Sequence, residues 1–214
     1  DGATNYYNVE EYYKVRYTDQ QIYLLDYQRS MEQIIDTASV NVSGNILSVG
    51  VTRDTTGYLS NETGTIVSFV QSGQLFEYNQ NKQTFTKVYG FIDDPTDARQ
   101  SYGQHNIRIL NIDETGNMDF VVYGYMNRGQ HEGESGIDLY HYDSIKQEAI
   151  EQVFIATTHS YQILNADFSD LLYENADGDF YIMMSGTLAK VGLDDLSTKE
   201  LITNLKSDQY AVSS

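Results

Sequence analysis

Cysteine and tryptophan are absent from this chain, and proline occurs once. Without cysteine there can be no disulfide, no thiolate nucleophile and no Cys-ligated zinc. Such a chain suits the cytosol, and equally a bacterial cell surface that does without disulfides. Basic residues are scarce too: 13 Lys and Arg stand against 31 Asp and Glu, for a formal charge of −18. A field of that sign repels phosphate backbones and anionic lipid, so the chain is read as binding no nucleic acid and inserting in no membrane. It attracts cations, calcium among them. No apolar run approaches the ~18 residues of a membrane span. No charged-then-apolar signal segment opens the chain. It begins "DGATNYYN" without Met, as expected of a processed form or a piece of something longer, whose signal or anchor lies elsewhere. G-x-S-x-G, a phosphate-binding loop, a dinucleotide fingerprint and HExxH are all missing.

What is present is tyrosine, 19 residues of it, with 8 Phe and 16 Gly. Tyrosine has an apolar body and a wet tip and favours strands. A Tyr- and Gly-rich chain with little helical periodicity is read as all-β. Four stretches look alike: "IYLLDYQRSMEQII", "LFEYNQNKQTFTKVY", "DLYHYDSIKQEAIEQVFI" and "LAKVGLDDLSTKELI". Each reads as a strand, an Asp or Asn, a few polar residues and a second strand. The anchors are Asp26, Asn79, Asp143 and Asp194, residue types that bond the backbone of a following turn. Between them lies a second recurring element: a small polar residue, a glycine (Gly44, Gly116, Gly178), then an apolar strand ending at Gly50, Gly124 or Gly186. Glycine there supplies the positive φ of a tight hairpin.

Two hairpins per unit make about four strands per ~50 residues, the pattern of β-propeller blades. The expected architecture is an all-β propeller, or propeller fragment, of about four four-stranded antiparallel blades in one domain, 1–214. The blades fall near 1–38, 39–92, 93–156 and 157–207, with 208–214 as a strand completing a blade. A β-sandwich is the competing arrangement. If the ring is incomplete, its exposed strand edges invite a homodimer.

Two connections are long, "GVTRDTTGYLSNETGTIVSF" and "GYMNRGQHEGESGIDLY". Loops of this kind commonly share one rim and carry ligands. The candidate ligand-binding residues are Arg53, Asp54 and Tyr58 from the first, and Tyr125, Asn127, Arg128, His131 and Glu132 from the second. An arginine can clamp a carboxylate, and tyrosines can stack on a sugar or a peptide. The ligand is therefore expected to be protein or carbohydrate. His105, His141 and His159 are scattered and read as structural. Asp93, Asp94 and Asp97 around Pro95 read as an inter-blade loop. "NETG" and "NVSG" match a glycosylation sequon, which matters only on a eukaryotic secretory route.

"NIDETGNMDF", residues 111–120, resembles the calcium loop of FG-GAP (integrin-like) propeller blades over about ten residues. The resemblance implies side-chain oxygens from Asn111, Asp113, Thr115 and Asp119 and a backbone oxygen from Asn117. Calcium wants 6–8 oxygens, several of them charged, whereas only Asp113 and Asp119 are charged here. The corresponding turns "NVSGN" and "ENADGD" do not repeat the pattern, so a plain turn is preferred and no cofactor is expected.

Three functions follow: a non-catalytic extracellular or cell-surface binding module of a bacterial protein, a propeller-type glycoside hydrolase with paired carboxylates, or the ectodomain of a membrane-anchored sensor. On the turn reading, millimolar calcium leaves the melting temperature unchanged. A rise of several degrees would instead establish an ion at 111–119.

Overall fold

The computed structural model describes residues 4–38, 40–43, 46–53, 57–168, 172–175, 178–193 and 197–206. Asp54, Gly44, Asp177, Asp194 and the closing strand at 208–214 lie outside these. The described chain is all-β apart from one short helix. It opens with two long strands, β1 (Tyr6–Tyr17) and β2 (Ile22–Ile34), which pair only with each other. Next come β3 (Asn41–Ser43) and β4 (Ile46–Ser48), a second two-stranded sheet. Three four-stranded antiparallel sheets follow. The first is β5 (Tyr58–Ser60), β6 (Ile66–Gln71), β7 (Gln74–Asn79) and β8 (Thr84–Gly90). The second is β9 (His105–Ile112), β10 (Met118–Tyr125), β11 (Ser135–Asp143) and β12 (Glu148–Ala156). The third is β13 (Leu172–Glu174), β14 (Phe180–Met184), β15 (Thr187–Val191) and β16 (Thr198–Ile202). In each, strands neighbour in chain order, so every connection is a hairpin.

Alternation along the strands explains why the sheets stack. Successive strand residues point to opposite faces. On β10, Met118, Phe120 and Val122 join Leu75 and Val88 of the first sheet in one core. Val121 and Tyr123 enter a different core with Phe180, Ile182 and Val191 of the third sheet. All five β10 side chains are at most 4% exposed. Aromatic contacts fill the first seam: Phe120 stacks on Tyr140 at 5.3 Å and Tyr89 sits 4.8 Å from Tyr140. The outer face of the first sheet carries Phe69, Phe76 and Phe85 against Ile35, Leu47 and Val49. The β3–β4 pair thus caps the stack from the N-terminal side.

Hairpin chemistry follows the sequence at several places. Asn79 accepts from Lys82 N at 3.0 Å, and Asp143 from Ile145 N and Lys146 N at 3.0 and 2.9 Å. Gly116 and Gly178 have φ of +93° and +78°. The Gly116 turn also holds on to the preceding sheet. The Glu114 carboxylate accepts from Asn61 Nδ2 at 2.9 Å, Thr63 Oγ1 at 2.7 Å and Thr63 N at 3.1 Å.

Two expectations fail. "IYLLDYQRSMEQII" is not a hairpin but the single strand β2, and Asp26 pairs with Lys14 in mid-strand. Its polar residues alternate on one face of a ribbon, and the reversal occurs instead at Thr18–Gln21, where Thr18 and Gln21 bond each other. The first four-stranded sheet takes its first turn from Gly64 (φ +69°), not from the Gly44 stretch, which belongs to the separate β3–β4 sheet. "SNETGTIVSFVQSG" runs parallel to "NIDETGNMDFVVYG", and the shared "ETG" marks the equivalent turn. Helix α1 (Tyr161–Asp167) connects the second sheet to the third. Ser160 caps it, accepting from Ile163 N, while Leu164 and Phe168 are buried one turn apart.

Substituting Gly116 or Gly178 by valine should lower stability by ~1–2 kcal/mol through left-handed backbone strain alone. Gly116→Val should cost more, because its Cβ would stand 3.1 Å from a Glu77 carboxylate oxygen, whereas at Gly178 none of the described residues lies within 4 Å. Urea midpoints equal to that of the wild type would contradict both.

Candidate functional site

The connection after β10 is braced by its own backbone. Met126 N donates to Glu134 O and Gly133 N to Met126 O, at 2.8 and 2.9 Å. Gly129 and Gly133 take φ of +96° and +92° to make the bends. Beside it runs the 91–104 connection between β8 and β9. Gln100 stabilises that connection by accepting from Asp93 N and Asp94 N at 2.7 and 2.9 Å.

Asn127 joins the two. Its Nδ2 donates to Gln100 O and Tyr102 O, both at 2.9 Å, and the residue is 2% exposed. Two carbonyl acceptors fix which amide atom is nitrogen. The Asn127 Oδ1 is left without a partner among the described residues. Next to it Gly124 adopts φ +114°, and Tyr125 N donates to Gln104 O at 2.8 Å. A Cβ on Gly124 would lie 2.3 Å from Gln104 O, so only glycine permits this approach.

The union of these loops forms a pocket of about 450 Å³ lined by Ala98, Arg99, Tyr102, Tyr125, Asn127 and Glu132. The Tyr102 and Tyr125 rings meet edge to face at 5.4 Å and 89°. Arg99 donates to Asp97, whose carboxyl is held below its ordinary range chiefly by those side-chain hydrogen bonds. Glu132 pairs with Arg128 at 3.8 Å. Two rings, a guanidinium and a carboxylate thus surround one small concavity.

Of the residues expected on a single rim, the structure brings together Tyr125, Asn127 and Glu132, with Arg128 behind Glu132. His131 is turned aside, stacked on Phe154 at 3.6 Å, with its Nε2 3.2 Å from Glu151. Arg53 and Tyr58 belong elsewhere. They line a larger cavity of about 800 Å³, with Asn8, Glu10, His105 and Tyr161. Tyr58 stands on edge strand β5, not on a loop, and Arg53 pairs with Glu10 and Glu32 at 3.2 and 3.6 Å. Arg99 and Tyr102 were missed by sequence reasoning. The signal was a long polar linker, "DDPTDARQSYGQ", with a tyrosine and a glycine just before its last residue.

The 111–119 side chains are directed to separate partners. Asp113 accepts from Thr115 N, Thr115 Oγ1 and Asn117 N at 2.7, 2.6 and 3.0 Å, so its carboxylate serves its own turn. Asn111 donates to Glu174, and Asp119 contacts His141 at 2.7 Å. Among the described residues no group of three or more His, Asp or Glu has the arrangement of a metal site.

Three carboxyls in the sheet seams are pushed up to about 7, each chiefly by burial: Glu77, Asp138 and Glu174. Asp138 Oδ2 accepts from Tyr140 OH at 2.7 Å, which opposes the shift. Glu174 is also raised by neighbouring Asp119 and lowered by His141.

No family model matches the chain, and no curated protein does. Among solved structures, it is similar to the extracellular domain of BT4673 from B. thetaiotaomicron, described as a one-component system. That alignment has 10% identity, covers 91% of this chain and 31% of that one, and gives a TM-score of 0.32. A second structure, the extracellular domain of BT4673 described as a hybrid two-component system, gives 9% identity, 93% and 33% coverage and a TM-score of 0.29. This chain spans about a third of the length of both.

Carboxyls raised on folding bind protons more tightly in the folded state. Their stabilising effect is complete below the unfolded values of 4.5 for Glu and 3.8 for Asp, and is lost as pH rises through about 7. The urea midpoint should therefore fall between pH 5 and pH 8, and Glu77→Gln should flatten that fall. A midpoint that rises across this window would refute the assignment.

Proposed function

We propose that this chain is a non-catalytic binding module whose ligand, a carbohydrate or a protein segment, is held at the pocket between the 91–104 and 126–134 loops. One observation supports it above the others: Asn127 fastens two loops so that Tyr102 and Tyr125 present a fixed aromatic corner flanked by Arg99 and Glu132. Preformed concavities with a few polar groups around aromatic walls are the usual form of small-ligand sites. A tyrosine face accepts the C–H face of a sugar or an apolar side chain, and the guanidinium and carboxylate orient its polar groups.

The three stacked four-stranded sheets are, on this reading, consecutive blades of a β-propeller arc, and the pocket lies on the rim where the blade connections gather. Propellers commonly bind on such a face. An extracellular or cell-surface setting fits a cysteine-free, strongly acidic chain built this way.

The test is a titration of wild type and of Tyr102→Ala, Tyr125→Ala and Asn127→Ala with a panel of neutral and acidic oligosaccharides and peptides. Binding by the wild type should weaken at least ~10-fold in each tyrosine variant, a loss of ~1.4 kcal/mol. Asn127→Ala should weaken it through loosened loops. Ligands that bind all three variants as they bind wild type would place the site elsewhere.

A further inference from the structure

The β1–β2 ribbon carries a face that nothing among the described residues covers. The pairing Tyr13–Tyr27, Val15–Leu24 and Tyr17–Ile22 sets these six side chains on one face, with Val9–Met31 continuing it toward the body. All eight are between 37% and 73% exposed. The only charges on that stretch are Glu11 and Arg29, which are cross-strand partners 3.9 Å apart. Glu11 also accepts from Tyr27 OH at 2.6 Å and Tyr13 OH at 3.0 Å. The face therefore contains no charge that needs a countercharge from outside. The opposite face is mainly polar and charged: Asn8–Glu32, Glu10–Ser30, Tyr12–Gln28, Lys14–Asp26 and Arg16–Tyr23, with Tyr12 and Tyr23 as its exposed rings. At its base it turns toward the body, where Arg53 meets Glu10 and Glu32.

A two-stranded ribbon is marginal in water on its own, and three or more strands or a covering layer are needed for stability. At ordinary side-chain areas the exposed apolar face amounts to roughly 800–1,000 Å² per copy, the scale of the ~800 Å² per partner in a standard stable interface. Charge selects the partner's geometry. The chain carries −18, so two copies resist lying body to body. A ribbon of this length extends ~40 Å, far beyond a Debye length of ~8 Å.

We propose that this face is the interface of a homodimer, in which the ribbons of two copies pack apolar face to apolar face in antiparallel fashion about a two-fold axis near Tyr13 and Tyr27. A two-fold contact is self-complementary. It sets Val9 and Met31 of one copy against Tyr17 and Ile22 of the other. It also puts the two acidic bodies at opposite ends of the pair, where screening removes their repulsion.

The experiment is sedimentation equilibrium of the whole chain at physiological salt. Wild type should be a dimer with a dissociation constant in the micromolar range or tighter, and Leu24→Lys and Val9→Lys should each weaken it at least ~100-fold. Gln28→Lys, on the polar face, should leave it unchanged. Thermal melts accompany each variant. Because the apolar-face side chains are solvent-exposed in the single copy, the body should melt as in wild type at concentrations where both are monomeric. A wild type that remains monomeric at ~100 µM, a Leu24→Lys variant that still dimerises fully, or an equal loss in Gln28→Lys would each overturn the proposal.

Discussion

The structure depends on burial of both faces of a thin sheet. The second sheet is the clearest instance. Met118, Phe120 and Val122 leave β10 on one side and Val121 and Tyr123 on the other, and the two sets enter different cores. A four-stranded sheet of this size has no interior of its own. It becomes stable only when each face meets a neighbour, so the sheets form a stack in which every member completes the next. Polar groups in the seams follow the same logic. Asp138, Tyr140 and Tyr89 form a hydrogen-bonded chain between two sheets, and burial keeps the carboxyl protonated over an unusual range.

Much of this was legible because strand alternation and turn chemistry are local. The second and third sheets follow the expected order of a glycine turn, an apolar strand and a further hairpin, and Asn79 and Asp143 act on their turns as their side chains require. The failures share one cause. The residue type of Asp26 suits a turn, but a strand carries an aspartate on a wet face as readily as a turn does. Only the partner strand, "YYNVEEYYKVRY", decides between them, and pairing is not local. The misplacement of the first sheet has the same origin. The sequence offers two glycine turn signals in succession, around Gly44 and around Gly64, and either satisfies the local pattern.

The pocket shows the same division. Tyr125, Asn127 and Glu132 were recognisable as polar and aromatic residues in a long connection. Arg99 and Tyr102 stand in a connection that looked like plain linker, and they become relevant only because Asn127 reaches across to Gln100 and Tyr102. Conversely Arg53 and Tyr58 had suitable chemistry in a suitable stretch, but that stretch folds partly into β5 and the base of the ribbon. Separation of the two groups into a small aromatic pocket and a wider cavity is a property of how the sheets stack.

The Glu114 contact has a consequence for surface chemistry. Asn61 belongs to an Asn-x-Thr triplet, but its amide nitrogen donates to Glu114, Thr63 and Thr65, and the residue is 2% exposed. An enzyme that attaches a glycan must reach that nitrogen in a pliant, outward segment. Here the nitrogen already ties one sheet to the next, so conjugation after folding would require the two sheets to come apart at that corner. The triplet is a letter string without an accessible acceptor, and its threonine serves the same inter-sheet tie.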